Sequence, residues 1–236
     1  MKKYKVMYPG VIHQYIPHPL YSTSFKNFDK VDARTQLGIK ADKHLVVVPG
    51  NVRLKEERDL ILKAFNSLKL KNKLLLIPNM YKKEVSIEFK GRHLLKKLID
   101  VKKVLEYFCN KDYIKKYQFE YGFTDIDRLS LILSASDVVF IPRINALNSG
   151  NVFLGFTYKK VVVGPDIGNI GEELKNNRFP VFNPYNQDSI VKALERGLNM
   201  NVKSRKKVDF EKIWKKYNPN IISKQYDDFF KVVLKE

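Results

Sequence analysis

The stretch from Asp137 to Leu174, DVVFIPRINALNSGNVFLGFTYKKVVVGPDIGNIGEEL, constrains the chain more than any other part of it. Val138 to Ile141 are apolar and read as a buried strand that ends in a loop. The loop closes with Asn148-Ser149-Gly150, a helix-compatible segment follows, and Val161 to Val163 make a second apolar strand leading to a turn at Gly168. This is a strand, helix, strand unit with small residues where its helix begins. Such a helix start leaves backbone N–H groups open, carries the positive end of the helix dipole and puts no side chain at Gly150 in an anion's way. The Ser149 turn is therefore the expected seat of a phosphate.

A second unit of the same kind lies upstream. Leu45 to Val48 form a strand, Pro49-Gly50 ends it, and Leu60, Ile61, Ala64, Phe65 and Leu68 recur at the spacing of a helix over Glu56 to Leu68. Arg53 and Lys55 fall in the loop between them, on the side where open parallel sheets bind ligands. Further strands are expected at Leu74–Ile77, Tyr117–Tyr121 and Pro180–Phe182. Helices are expected at Asp32–Ile39, around Leu94–Val101 and Val104–Phe108, over Ile126–Leu133, and over Ile190–Leu198 with Asn186 as cap. The tail holds two amphipathic segments, around Trp214 and around Tyr226–Leu234, divided by Asn218-Pro219, and at the other end Val11–Ile16 alternates like a strand before the Pro17-His18-Pro19 turn. Strands alternating with helices over 44–200 predict an α/β domain with a mostly parallel sheet covered on both faces.

Composition narrows the partners. The chain's 44 Lys and Arg against 25 Asp and Glu leave a formal charge of +19, a field that favours nucleic acid, anionic lipid or a phosphorylated small molecule. The basic residues are spread in short clusters such as Lys203–Lys207, so a generally Lys-rich surface explains the charge equally well. No zinc finger, RRM signature or basic heptad helix points to nucleic acid. One cysteine, Cys109, permits no disulfide framework, and with four scattered histidines, His13, His18, His44 and His93, it makes no zinc pattern. No apolar run approaches the ~20 residues that span a bilayer, and the start of the chain lacks a signal-peptide core, so a cytoplasmic protein is expected.

Seven motifs in order carry a resemblance: His18-Pro19-x-Tyr21, Gly50-Asn51-Val52-Arg53, Leu74–Ile77, Phe123 ahead of a helix, Ala135-Ser136-Asp137-Val138-Val139, Asn148-Ser149-Gly150 and Gly168-x-Ile170-x-Glu172. Together they resemble the C-terminal, donor-binding half of GT-B glycosyltransferases of the large retaining family called group 1, over most of the chain from about residue 16. The resemblance implies a Rossmann-like three-layer domain over 26–200, preceded by a segment 1–25 and followed by a helical tail 201–236. It implies a transferase that moves a sugar from a nucleotide diphosphate sugar, with UDP or GDP as carrier and no separate cofactor, to a saccharide or lipid-linked acceptor in polysaccharide or glycolipid assembly. The basic surface would then sit on the anionic inner face of the plasma membrane, where such acceptors reside.

On this resemblance Arg53 matches an arginine that contacts the donor diphosphate, with Lys55 beside it as the second cation. Gly50 and Asn51 shape the first loop, the backbone around Asn148, Ser149, Gly150 and Asn151 takes the other phosphate oxygens, and Glu172 meets ribose or sugar hydroxyls. Three departures stand out. The family's two glutamates align with Ala146 and Leu154; its lysine aligns with Glu56, one residue past Lys55; and an N-terminal acceptor domain has no counterpart, so the other half would be a missing part of a longer chain or a partner subunit.

Bland readings remain beside these: Arg53 as a surface ion-pair residue, Ser149 as an ordinary cap, Glu172 and Glu173 as acidic residues favoured by a helix's first turn, Asn145 and Asn148 as turn formers. Asp125-x-Asp127 reads as a cap and charge for the following helix rather than a metal site. The rival functions are half of a sugar-nucleotide epimerase, a non-catalytic basic module binding nucleic acid, and a stabilising partner subunit.

Overall fold

The computed structural model describes residues 6–21, 25–80, 116–203 and 208–234. Among these, six strands form one sheet: β1 (His44–Val47), β2 (Lys73–Ile77), β3 (Tyr117–Phe119), β4 (Val138–Phe140), β5 (Val161–Pro165) and β6 (Val181–Phe182). Their spatial order is β3-β2-β1-β4-β5-β6. Every pairing is parallel, with Val46 opposite both Leu75 and Val138, and Val139 opposite Val162. The sheet is thus wholly parallel where mostly parallel was expected.

Helices cover both faces: α1 (Lys30–Gln36), α2 (Lys55–Ser67), α3 (Ile126–Ala135), α4 (Gly150–Thr157), α5 (Gly168–Asn176) and α6 (Gln187–Lys203), with α7 (Phe210–Tyr217) and α8 (Pro219–Leu234) closing the chain. The apolar runs of β1, β2, β4 and β5 are buried because a parallel sheet with helices on each side leaves neither face to water. One core, around Val46, Leu75 and Val139, packs under α2, α4 and α6; the other, around Leu45, Val47, Leu76 and Ile132, packs under α1 and α3.

Local chemistry sets the helix starts. Asp29 accepts from Val31 N–H at 2.7 Å and so begins α1 at Lys30, two residues before the apolar pattern suggested. Asp125 accepts from Arg128 N–H at 2.7 Å to start α3, and Asn186 accepts from Ser189 N–H at 2.9 Å to start α6. Asp127 pairs with Lys26 at 3.1 Å, which leaves the Asp-x-Asp motif occupied by helix and surface contacts.

A buried staple holds α1 to the sheet. Asp137, just before β4, accepts from Leu45 N–H at 2.7 Å and from Arg34 Nη2 at 2.8 Å, and Lys30 completes its ion pairs. Burial alone would raise the Asp137 pKa; Lys30, the Leu45 amide and Arg34 outweigh it and hold the carboxyl below its ordinary value.

The Val11–Ile16 run is not a strand. Both edges of the sheet belong to β3 and β6, and the segment instead lies over helices, with Val11 and Ile12 exposed. Within it Tyr15 Oη donates to Glu173 at 2.7 Å, and the residues that follow dock by Leu20 N–H to Tyr217 O at 2.9 Å and Tyr21 N–H to Thr157 Oγ1 at 3.0 Å. The helices expected within 81–115, together with His93 and Cys109, lie outside the described residues, as do 204–207 of the lysine cluster.

Candidate functional site

In a sheet of this order the chain reverses direction between β1 and β4, and the loops leaving those two strands part to form a crevice. A cavity of about 650 Å³ opens there. Its walls are Gly50, Asn51 and Arg53 from the loop after β1, Glu57 from the first turn of α2, Arg143 and Ala146 from the loop after β4, and Asn148 to Asn151 at the start of α4. The two turns expected to converge do so. A Cβ on Gly50 would lie 2.3 Å from Asn151 Nδ2 and 3.4 Å from Arg143 Nη2, so the bare backbone of the first loop faces the side chains of the second at contact distance.

The start of α4 is open to a ligand. Ser149 makes no capping bond with its side chain, and among the described residues the Gly150 and Asn151 amides have no acceptor. A Cβ on Gly150 would meet the Tyr21 hydroxyl at 2.7 Å, so any side chain there would displace the tip of Tyr21.

Arg143 is the residue that reading the sequence missed. Its Nη1 donates to both oxygens of Glu57 at 2.9 Å, and Glu57 Oε2 also accepts from Arg53 N–H at 3.3 Å. The Glu57 side chain is 4% exposed and the Arg143 side chain 17%. A buried carboxylate therefore fixes one guanidinium at the cavity wall and, through the backbone, the loop that carries the other. The signal available in the sequence was weak, since Glu57 reads as an ordinary acidic residue of a helix's first turn.

Not every expected residue reaches the cavity. Lys55 points along α2, paired with Asp59 at 2.8 Å and 65% exposed, and does not line it. Glu172 is exposed and lines neither this cavity nor its neighbours; its companion Glu173 is the buried one. Glu173 accepts from Tyr15 Oη at 2.7 Å and from the Tyr217 hydroxyl, with Lys216 Nζ 3.4 Å away. Burial first, then the hydrogen bond to this carboxylate, pushes both phenol pKa values up.

Two further depressions adjoin the first. One, about 580 Å³, lies past the ends of β2 and β3, shares Asn51 and Arg53 with the crevice and is edged by Phe123, which is 94% exposed. The other, about 270 Å³, lies past β4 and β5, shares Asn148, Ser149 and Gly150, and is closed by the segment Tyr15–Pro19. In the sheet order β3-β2-β1-β4-β5 the three form a row along one edge. Among the described residues no group of His, Cys, Asp and Glu is placed to hold a metal, and no helix is long and apolar enough to cross a membrane.

A parallel sheet of order 3-2-1-4-5-6 with helices on both faces and its crevice at the β1–β4 reversal defines a Rossmann-like α/β domain. No protein-family model and no curated protein matches the sequence. Solved structures do match. Sucrose-phosphate synthase from Thermosynechococcus elongatus superposes with a TM-score of 0.68 at 17% identity, over 99% of this chain and 56% of that one. Anabaena HepE, in complex with UDP and glucose, superposes at 0.57 with 14% identity over 87% and 55%. The C-terminal domain of the group 1 glycosyl transferase LpcC from Francisella tularensis superposes at 0.54 with 14% identity, over 78% of this chain and 90% of that domain. The fold is thus that of the C-terminal half of GT-B glycosyltransferases, and the chain spans about half the length of the full-length structures it resembles.

Proposed function

We propose that the row of depressions binds a nucleotide diphosphate sugar and that the chain supplies the donor-binding half of a glycosyltransferase. The observation that carries this reading is the shared borders. Asn51 and Arg53 stand between a cavity edged by an exposed aromatic and a cavity with two guanidinium groups, and a helix start with open amides bounds the latter. An aromatic face suits a nucleobase, and a guanidinium pair facing helix N–H groups suits a diphosphate. HepE, similar in fold, holds UDP and glucose.

The chemistry follows from charge. As the bond between the sugar and the diphosphate breaks, negative charge gathers on the leaving phosphate. Arg53, Arg143 and the Gly150 and Asn151 amides stabilise it more in the transition state than before, because they are in place in advance. Glu57 serves as the positioning residue for Arg143. Positioning of the acceptor hydroxyl comes from outside this half, and the +19 charge favours acceptors carried on an anionic membrane face.

Calorimetry with UDP, GDP, UDP-glucose and GDP-mannose tests the reading. Binding of one pair is expected, weakened about tenfold or more by Arg53→Ala through loss of a charge-assisted hydrogen bond. Phe123→Ala is expected to weaken it by about 1 kcal/mol or more through loss of base stacking, without lowering the melting temperature. Folded protein that binds none of the four at millimolar concentration sinks the proposal.

A further inference from the structure

All six strands run the same way, so their starts share one edge of the sheet, opposite the crevice. The two edges differ in charge. Among the described residues, the stretches that enter the strands (37–43, 68–72, 116, 136–137, 158–160 and 177–180) carry eight Lys or Arg against two Asp. The loops that leave them (48–54, 78–80, 120–125, 141–149, 166–167 and 183–186) carry two Arg against three acidic residues. Helix ends account for part of the difference, since cations favour the carbonyls there. Lys73 Nζ donates to the carbonyls of Phe65, Asn66 and Leu68 at the end of α2, and Lys160 Nζ donates to Ser134 O near the end of α3. They leave the rest unexplained. Lys40, Lys69, Lys71, Lys116, Lys159 and Arg178 are exposed, and among the described residues their side chains have no hydrogen-bond or ion-pair partner. Burial first, then the charge of Lys116, lowers the Lys73 pKa, which marks cations crowded upon cations.

We propose that this entry edge of the sheet, with Lys40, Lys69, Lys71, Lys116, Lys159 and Arg178, is a docking surface for a bilayer rich in anionic phospholipid. The six cations stand at five of the six strand starts, from β3 at one side to β6 at the other. At about 4.8 Å between neighbouring strands they spread over roughly 24 Å, enough to meet several headgroups at once. Five of the six are lysines, hydrated point charges that suit a diffuse layer of anions better than the forked grip of a single phosphate. No large apolar side chain is exposed along this edge among the described residues, whereas Phe123, Leu147 and Tyr185 are exposed at the other. With nothing to stack on a base, the edge fits a nucleic acid less well. Contact here is by charge alone, so it is reversible and weakens with salt. The placement of the charge, and not its total, sets the orientation: the crevice lies a strand's length away, roughly 15 Å, and opens away from the bilayer.

The test is co-sedimentation of the whole chain with vesicles of phosphatidylcholine, and of phosphatidylcholine with phosphatidylglycerol in a two-to-one ratio, at low and at physiological salt. Two triple variants separate placement from net charge. One combines Lys40→Glu, Lys71→Glu and Lys159→Glu at the entry edge; the other combines Lys192→Glu, Lys215→Glu and Lys224→Glu on α6, α7 and α8, and lowers the net charge equally. All six side chains are exposed, so the melting temperature of both triples should match the parent's. The parent is expected to bind the anionic vesicles, more weakly at higher salt, and to leave the neutral ones alone. The edge triple should lose a factor of about a hundred or more, from about 1 kcal/mol for each lysine near the surface, and the other triple less than about threefold. Equal losses in the two triples, or no binding of the folded parent to anionic vesicles at low salt, overturn the proposal. So does tighter binding to duplex DNA than to the vesicles at matched phosphate concentration, lost in the edge triple. No nucleotide enters the assay, so its outcome stands apart from that of the donor-site reading.

Discussion

The pair Glu57–Arg143 makes a quantitative prediction, because it joins stability to the cavity. Its three hydrogen bonds, two from Arg143 Nη1 at 2.9 Å and one from Arg53 N–H at 3.3 Å, converge on a carboxylate that is 4% exposed. Breaking a fully buried pair by removing one partner costs about 3–5 kcal/mol, since the other charge is left unpaired. Arg143 keeps some contact with water in the cavity, so each of Glu57→Gln and Arg143→Gln is expected to cost less, about 2–3 kcal/mol. The double variant carries no orphaned charge and should lose clearly less than the sum, with a coupling of about 2 kcal/mol. Urea denaturation of the four proteins, with coincident transitions by fluorescence and circular dichroism, measures this. Parallel titration with the nucleoside diphosphate should show Arg143→Gln weakened about tenfold or more. Additivity within about 0.5 kcal/mol would refute the tether.

The Asp137 staple predicts a pH signature. Its folded pKa lies below the ordinary 3.8, so its stabilisation is present above that value and is lost as pH falls through the depressed one. Asp137→Asn should cost about 3 kcal/mol at neutral pH, because Arg34 stays buried without its anion, and the gap to the parent should close in acid denaturation below the ordinary value. Gly155 packs α4 on β5: a Cβ there would lie 2.5 Å from Val162 Cγ2. Gly155→Ala should therefore lower stability by about 1–2 kcal/mol, despite alanine's better helix propensity, and a melt showing stabilisation would contradict that packing.

Much of the architecture was legible because its causes are local. Val138–Phe140 and Val161–Pro165 are strands where short apolar runs bounded by turns said they would be, α2 follows its apolar spacing within a residue, and α3 begins where expected and runs two residues further. Asp125 and Asn186 cap as their type and position indicate. Val11–Ile16 misled because alternation by itself does not make a strand: the run joins neither edge of the sheet, Tyr15 bonds Glu173 of α5, and the residues just after it dock on α4 and α7.

What the chain determined by itself, then, was the strand–loop–helix units, the open amides at Ser149-Gly150 and the arginine after the first glycine loop. Short-range sterics and hydrogen bonding settle those within a few residues. Only the tertiary structure decided that β1 and β4 lie side by side and that Arg143 and Glu57, separated by most of two units, meet across the crevice. Which charges face a shared cavity depends on strand order and helix rotation, and those are fixed by burying the whole core at once.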